Sequence, residues 1–297
     1  MEAKRHRRCA FLTLKDPTGY VIDDELAYAP LAELGWRVEA VPWNQAGVNW
    51  RAFDAVVIRS TWDYTHEPLA FLDSLAEIER AGAPLFNPVD VVRRNYDKRY
   101  LRELEASGVP IVPTVWRDRL QPGELPELFD ELGAAEIVVK PVVGAGARGA
   151  FRVARDQVQA QQKAVEAHYA HQPLMAQPFV ASVETEGEYS LFYFNGELSH
   201  AIVKTPKAAD FRVQEEHGGR IVAVEATDEL RAAGDRALQT LAEPLLYARV
   251  DLIRAPSGQF WLMELELIEP ALYFRMDEES PRRFARALER RARGSAD

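Results

Sequence analysis

The chain has 297 residues, 47% of them hydrophobic and 28% charged, a globular profile whose length calls for two or three structural units. A net charge of −10 excludes the basic face that nucleic acid requires, and no window approaches the ~20 apolar residues that span a bilayer. A single cysteine, Cys9, excludes an internal disulfide framework and fits a reducing, cytoplasmic setting.

The basic start, Lys4 to Arg8, precedes an apolar run over 9–14 that is too short for a signal peptide and lacks a small-residue cleavage site, so it reads as a frayed end. Residues 24–35 have helical spacing closed by Gly35, 36–42 alternate as a strand, 53–59 form a compact buried strand, and 67–82 are helical up to Gly82. Strands alternating with helices predict a small parallel α/β unit over 1–92. Functional edges of such units lie at the carboxyl ends of the strands, which puts Arg59-Ser60-Thr61-Trp62-Asp63-Tyr64 on a substrate-facing loop; an ordinary strand-to-helix connection is the alternative.

Beyond residue 92 the texture changes. A helix is expected over 95–107, then β-rich runs at 136–143, 150–154, 188–194 and 197–204. The last two flank Asn195-Gly196, the strongest short-range hairpin signal. A helix over 227–242 leads to a final strand pair, 247–254 and 259–267, and the basic run Arg282–Arg293 reads as the solvated face of a last helix. The whole is α/β followed by α+β with antiparallel sheets, divided into 1–92, 93–180 and 181–297.

Gly144-Ala145-Gly146-Ala147-Arg148-Gly149 satisfies G-x-G-x-x-G, but it leads into the strand-like Ala150-Phe151-Arg152-Val153 and not into a helix, which rules out a dinucleotide fold. Walker A spacing fails as well, because Ala150-Phe151 stands where Lys-Ser/Thr is required. Two readings stand: a plain turn, or a mobile loop whose N–H groups close over phosphate. Lys140, four residues upstream in the apolar strand Ile137-Val138-Val139-Lys140, needs a partner if buried, and a nucleotide phosphate would serve; a solvated strand end is the alternative.

In the last strand pair, the connection Ala255-Pro256-Ser257-Gly258 should pair Arg254 with Gln259 and set Asp251 opposite Leu262. Asp251 then shares a face with Glu264 and Glu266, while Met263, Leu265 and Leu267 form a core stripe on the other. A slip of one residue would separate Asp251 from the glutamates. Three converging carboxylates repel one another unless solvated or holding a cation, and hard oxygen donors of this kind suit Mg²⁺ shared with nucleotide phosphates.

Lys98, Lys140, the glycine loop and the acidic strand pair stand in the order and spacing of the ATP-grasp superfamily. The chain resembles its bacterial glutathione synthetase and ribosomal-S6-modification ligase branch, and within it the D-cycloserine-synthetase-like ligases. Arg59–Tyr64, Asp97-Lys98-Arg99-Tyr100-Leu101, Asp210-Phe211-Arg212-Val213-Gln214 and Glu264–Pro270 carry the resemblance. It implies an ATP-grasp fold, Mg-ATP with two Mg²⁺ ions (Mn²⁺ as a substitute), and activation of a carboxylate as an acyl phosphate captured by an amine-type nitrogen, in a setting of antibiotic biosynthesis. Lys98 and Lys140 would contact phosphates under the loop Gly144, Gly146, Arg148 and Gly149. Gln177-Pro178-Phe179-Val180 matches the adenine hinge, Glu188 or Glu184 the ribose position, Lys204 and Arg212 the catalytic basic positions, and Gly218-Gly219 the turn completing the substrate pocket. The partner implied is a small amino-acid-like carboxylate, with no nucleic acid or membrane; a homodimer is compatible with the resemblance. Two departures stand out: the family often has Glu-x-Asn where this chain has Glu264 and Glu266, and Tyr189-Ser190 replaces the arginine that follows the ribose-region acid in glutathione synthetases. Two rival readings are a small-molecule phosphotransferase and a non-catalytic nucleotide sensor. A protein kinase is disfavoured, since Asp210-Phe211-Arg212 lacks the glycine of Asp-Phe-Gly.

Overall fold

The computed structural model describes residues 6–144, 146–208 and 210–294. Strands β1 (Arg7–Thr13), β2 (Trp36–Pro42), β3 (Ala55–Ser60) and β4 (Leu85–Phe86) form a parallel sheet in the order β2-β1-β3-β4. All six residues of β3 are buried because both faces are covered. Val56 and Ile58 pack with Phe71, Leu75 and Ile78 of the helix Pro68–Arg80, while Ala55 and Val57 join Leu31 and the last helix, Ser280–Gly294. Arg7 and Arg8, expected in a frayed start, instead begin β1, where Arg7 pairs with Glu289 and Arg8 with Glu39; residues 1–5 lie outside the described residues.

The helix expected over 95–107 is two helices, Val89–Asn95 and Tyr100–Ala106, with Asp97 and Lys98 in the break. One local and one long-range polar contact mark it. The Asp97 carboxylate accepts the Arg99 N–H at 2.9 Å, and the Asn95 amide bonds the backbone of Leu265 and Leu267.

A second sheet, antiparallel in the order β5-β8-β6-β7, contains β5 (Val115–Arg117), β6 (Glu136–Pro141), β7 (Phe151–Ala154) and β8 (Leu174–Pro178). Helices Leu125–Leu132 and Val158–Tyr169, which periodicity did not single out, supply its core partners. The third sheet, β11-β10-β9-β12-β13, contains β9 (Glu188–Phe194), β10 (Glu197–Thr205), β11 (Arg220–Val224), β12 (Tyr247–Arg254) and β13 (Phe260–Glu266). Asn195 (φ 50) and Gly196 (φ 78) make the expected hairpin between β9 and β10. The last helix buries Phe284, Ala287 and Leu288 between the first and third sheets; on its polar side Arg282 pairs with Glu33 and Arg290 with Glu197. Among the described residues no helix is long and apolar enough to cross a membrane.

The register of β12 and β13 departs from expectation twice. Arg254 pairs with Phe260 and not with Gln259, a slip of one residue. A bulge between Asp251 and Leu252 takes up the extra residue, Met263, and restores the phase: Asp251 faces Glu264, and Arg249 faces Glu266. The three carboxylates therefore do share a face. Met263 leaves the expected stripe and packs near Val180, Val213 and Ile253, while Leu265 and Leu267 stay in the core.

Candidate active site

A cavity of about 560 Å³ lies among the three sheets. The third sheet presents Glu188, Lys204, Arg249, Asp251, Glu264 and Glu266 to it. Opposite them stand Lys140 at the end of β6, Lys98 from the break between helices, and Gly144, Gly146 and Arg148 of the glycine loop. One stretch of wall is apolar, built from Val112, Val180, Val183, Val213, Ile253 and Met263, and would suit a flat heteroaromatic ring.

Charge is matched across this field. Lys204, 3% exposed, contacts Glu188 and lies 3.4 Å from Asp251; burial opposes its charge, but the two carboxylates hold its ammonium above the usual lysine value. Burial also disfavours the Asp251 anion, yet Arg249 at 2.9 Å, Lys204 and the Ser190 hydroxyl keep its carboxyl below the usual range. Glu264 is held low in the same way, burial being outweighed by Lys98 at 3.5 Å and Lys140 at 3.3 Å. The partner that Lys140 requires is thus a carboxylate of the same cavity. Glu266 contacts Arg249, but burial and the neighbouring carboxylates Asp251 and Glu264 push its carboxyl up. Glu269, half-buried beside Tyr64, is pushed up to about 7, because its partial removal from water outweighs the attraction of Lys98 and Arg249 and the hydrogen bond with Tyr64.

Carboxylate oxygens are the hard donors that magnesium takes, usually one or two from protein with the rest from phosphates and water. Glu264 and Glu266 keep 24% and 30% of their side chains exposed, whereas the oxygens of Asp251 are bonded by Ser190, Lys204 and Arg249. Among the described residues no three acidic, His or Cys side chains converge closely enough for a ready-made cage. The donor set fits an ion shared with a polyphosphate better than one enclosed by protein.

Other predicted residues divide sharply. Gln177, Phe179 and Val180 line the cavity, and the Gln177 amide donates to the Thr114 hydroxyl at 2.9 Å. Glu188 lines it too, whereas Glu184 lies outside, paired with Arg152, whose guanidinium sits 3.5 Å over the Phe179 ring. Arg212 reaches the cavity with its guanidinium bonded to Asp210 at 3.0 and 2.8 Å. Gly149 is outside the lining; a side chain there would meet His168 at 2.8 Å, so its role in the loop is steric. Gly218 and Gly219 also lie outside, and Gly219 packs so tightly on Val213 that an added Cβ would come within 2.0 Å of its carbonyl. They position the adjoining lining residues Val213 to His217.

The Arg59–Tyr64 loop needs the largest correction. Only Trp62 and Tyr64 reach the cavity. Arg59 is 1% exposed and engaged with Asp24 at 2.9 Å, the Ser60 hydroxyl bonds Thr13, Thr61 is fully buried, and Asp63 accepts the Trp43 indole N–H at 2.7 Å. The segment after β13 covers this strand end and takes up its donors. Sequence reasoning missed Arg249 and Glu269. Arg249 was findable, being a basic residue on the buried strand β12 two positions before Asp251, the same signal that marked Lys140.

Residues 9–87 match the family described as D-cycloserine synthetase DcsG, N-terminal domain, and residues 121–271 the prokaryotic glutathione synthetase ATP-grasp domain. The cycloserine biosynthesis protein DcsG of Streptomyces lavendulae is 34% identical over 284 residues, covering 87% of this chain and 90% of that protein. This chain belongs to the DcsG-type ATP-grasp ligases. It is an ATP-dependent carboxylate–amine ligase, and like ATP-grasp ligases generally it uses ATP and Mg²⁺. The probable alpha-L-glutamate ligase 2 of Shewanella frigidimarina is 28% identical over 218 residues, covering 72% of this chain and 70% of that one. The crystal structure of D-cycloserine synthetase DcsG superimposes with a TM-score of 0.82 at 31% identity, covering 96% of this ATP-grasp ligase and 99% of that chain.

Proposed function

We propose that the chain activates the carboxylate of a small amino-acid-like substrate as an acyl phosphate, which an amine-type nitrogen on the same molecule captures to close a cyclic amide. The observation that carries the first step is the convergence of Lys98, Lys140, Glu264 and Glu266 in one cavity beside an apolar wall fit for adenine. Cyclisation is favoured over intermolecular ligation by the similarity to a cycloserine biosynthesis protein, which also suggests a role in antibiotic biosynthesis.

In this reading the adenine lies against Val180, Ile253 and Met263, and Glu188 faces the ribose. Lys98 and Lys140 would exchange Glu264 for the phosphates, and Glu264, Glu266 and, once released from Lys204 or Arg249, Asp251 are the carboxylates that would hold magnesium, with two ions expected. The metal supplies neutralisation of charge on the phosphoryl oxygens. A substrate carboxylate oxygen attacks the γ-phosphorus in line and ADP leaves; the basic groups offset the charge spreading over the phosphoryl group. The nitrogen then attacks the carbonyl carbon, and phosphate departs with the former carboxylate oxygen and takes up the proton that the nitrogen sheds. Arg212, freed from Asp210, is the donor proposed for the oxyanion. Arg148 and the glycine loop would exclude water, which otherwise hydrolyses the intermediate.

The test is isotopic. With an aminooxy amino acid labelled with ¹⁸O in its carboxylate, one label should appear in the released phosphate alongside ADP and a cyclic product. Unlabelled phosphate would overturn the acyl-phosphate step, and phosphorylated substrate without a new C–N bond would overturn the ligation half.

A further inference from the structure

The chain after β13 runs without regular structure from Leu267 to Tyr273, yet its backbone is held at every step. Five consecutive carbonyls each accept a side-chain donor. Tyr247 donates to Ile268 at 2.7 Å, Trp62 to Glu269 at 2.9 Å, Arg59 to Pro270 at 3.0 Å, Arg249 to Ala271 at 3.4 Å and His200 to Leu272 at 3.0 Å. One donor, Arg59, comes from β3, one, Trp62, from the connection after it, and three from the third sheet, so the segment is clamped from both sides. It ends at Tyr273, whose backbone sits in the left-handed region at φ 47, a conformation that persists only where surroundings impose it.

What the clamp presents is Glu269. Its side chain faces the cavity beside the Tyr64 phenol. Glu188, Asp251, Glu264 and Glu266 each have a basic side chain within ion-pair distance. Among the described residues Glu269 has none. A half-buried carboxylate on which Lys98 and Arg249 act only from beyond ion-pair distance has its charge incompletely offset, and rigid placement keeps the group from turning to water. The wall next to it is aromatic: Trp62 and Tyr20 line the same cavity with ring centroids 5.2 Å apart. A carboxylate beside aromatic rings is the chemistry that receives an organic ammonium, by ion pairing on one side and cation–π attraction on the other.

We infer that Glu269 is a specificity-determining residue that binds the ammonium group of the amino-acid-like substrate, with Trp62 and Arg59 as positioning residues that hold its backbone. The inference rests on the small-molecule reading given above but not on turnover. Bound there, the ammonium anchors the end of the substrate remote from the reacting carboxylate. The neutral nitrogen that attacks is then distinguished from the charged one that does not.

Binding to the full chain, measured by calorimetry with Mg²⁺ and a non-hydrolysable ATP analogue, tests this independently of catalysis. The probes are O-amino-D-serine and 3-aminooxypropanoate, its counterpart lacking the α-ammonium. Wild type should bind the first at least tenfold more tightly. Glu269→Gln should weaken it about 30-fold or more, leave the second unchanged, and leave the ATP analogue's affinity and the thermal midpoint as in wild type. Glu269→Asp, which keeps the charge, should retain most of the discrimination. Equal binding of both probes by wild type, equal loss of both in Glu269→Gln, or loss of the ATP analogue would each overturn the assignment. Failure of the ligase reading shows up elsewhere, as absence of ADP release from a wild-type protein that still discriminates the two probes.

Discussion

β3 and β6 both carry a basic residue one position before their end, Arg59 in one and Lys140 in the other, and each runs into a loop with a family-like motif. Their surroundings differ. The end of β3 is roofed by Ile268–Leu272, so Arg59 is sealed against Asp24 and a backbone carbonyl. The end of β6 opens on the cavity, and Lys140 keeps 14% of its side chain exposed against a carboxylate that a polyphosphate could displace. A charge at the carboxyl end of a strand marks a binding edge only where no later segment covers that end. Here the cover itself reaches the cavity, setting Glu269 beside Trp62 and Tyr64 of the β3 loop.

The sharpest way to break this contrast is at Glu264. Glu264→Gln removes the carboxylate shared by Lys98 and Lys140 and should lower Mg-dependent ADP formation by about 10²–10³-fold or more with an unchanged thermal melt. Unchanged turnover would dismantle the proposed metal site. Arg59→Leu should behave in the opposite manner. It leaves Asp24 buried and uncompensated, costing about 3–5 kcal/mol in urea unfolding, with the ATP KM little changed and Asp24→Asn partly restoring stability. A raised ATP KM at full stability would make the two strand ends equivalent after all.

The smallest effect concerns His200, which is stacked on Phe192 and donates to the Leu272 carbonyl at the edge of the cover. Burial depresses its pKa from about 6.5 to about 4. The folded state therefore binds fewer protons than the unfolded chain between these values. The contribution is full above about pH 6.5 and falls by about 1.4 kcal/mol per unit as pH drops toward 4. His200→Gln should flatten that part of the thermal-midpoint profile; an identical acid limb would locate the titration elsewhere.

Local pattern was enough for the hairpin at Asn195-Gly196, for β2 at its observed bounds and for the amphipathic last helix, because period and turn chemistry act over a few residues. It was not enough for the helix break at Lys98, where the Asn95 amide bonds a strand some 170 positions away. Nor did it yield the register of β12 and β13. There the turn slipped by one residue and a bulge slipped it back, two errors that cancel in the face shared by Asp251 and Glu264.

By itself, the sequence determined the chemistry at hand: two lysines, a glycine loop and an acidic strand pair, each carried by side-chain type and short spacing. Only the tertiary structure decided which charges already have partners. Ion pairs such as Arg59 with Asp24 and Lys140 with Glu264 join residues 35 and 124 positions apart, distances over which no periodicity speaks. The same packing isolates Glu269. Its lack of a basic side chain at ion-pair distance is a property of everything around it, set by where the five donors of the clamp come together.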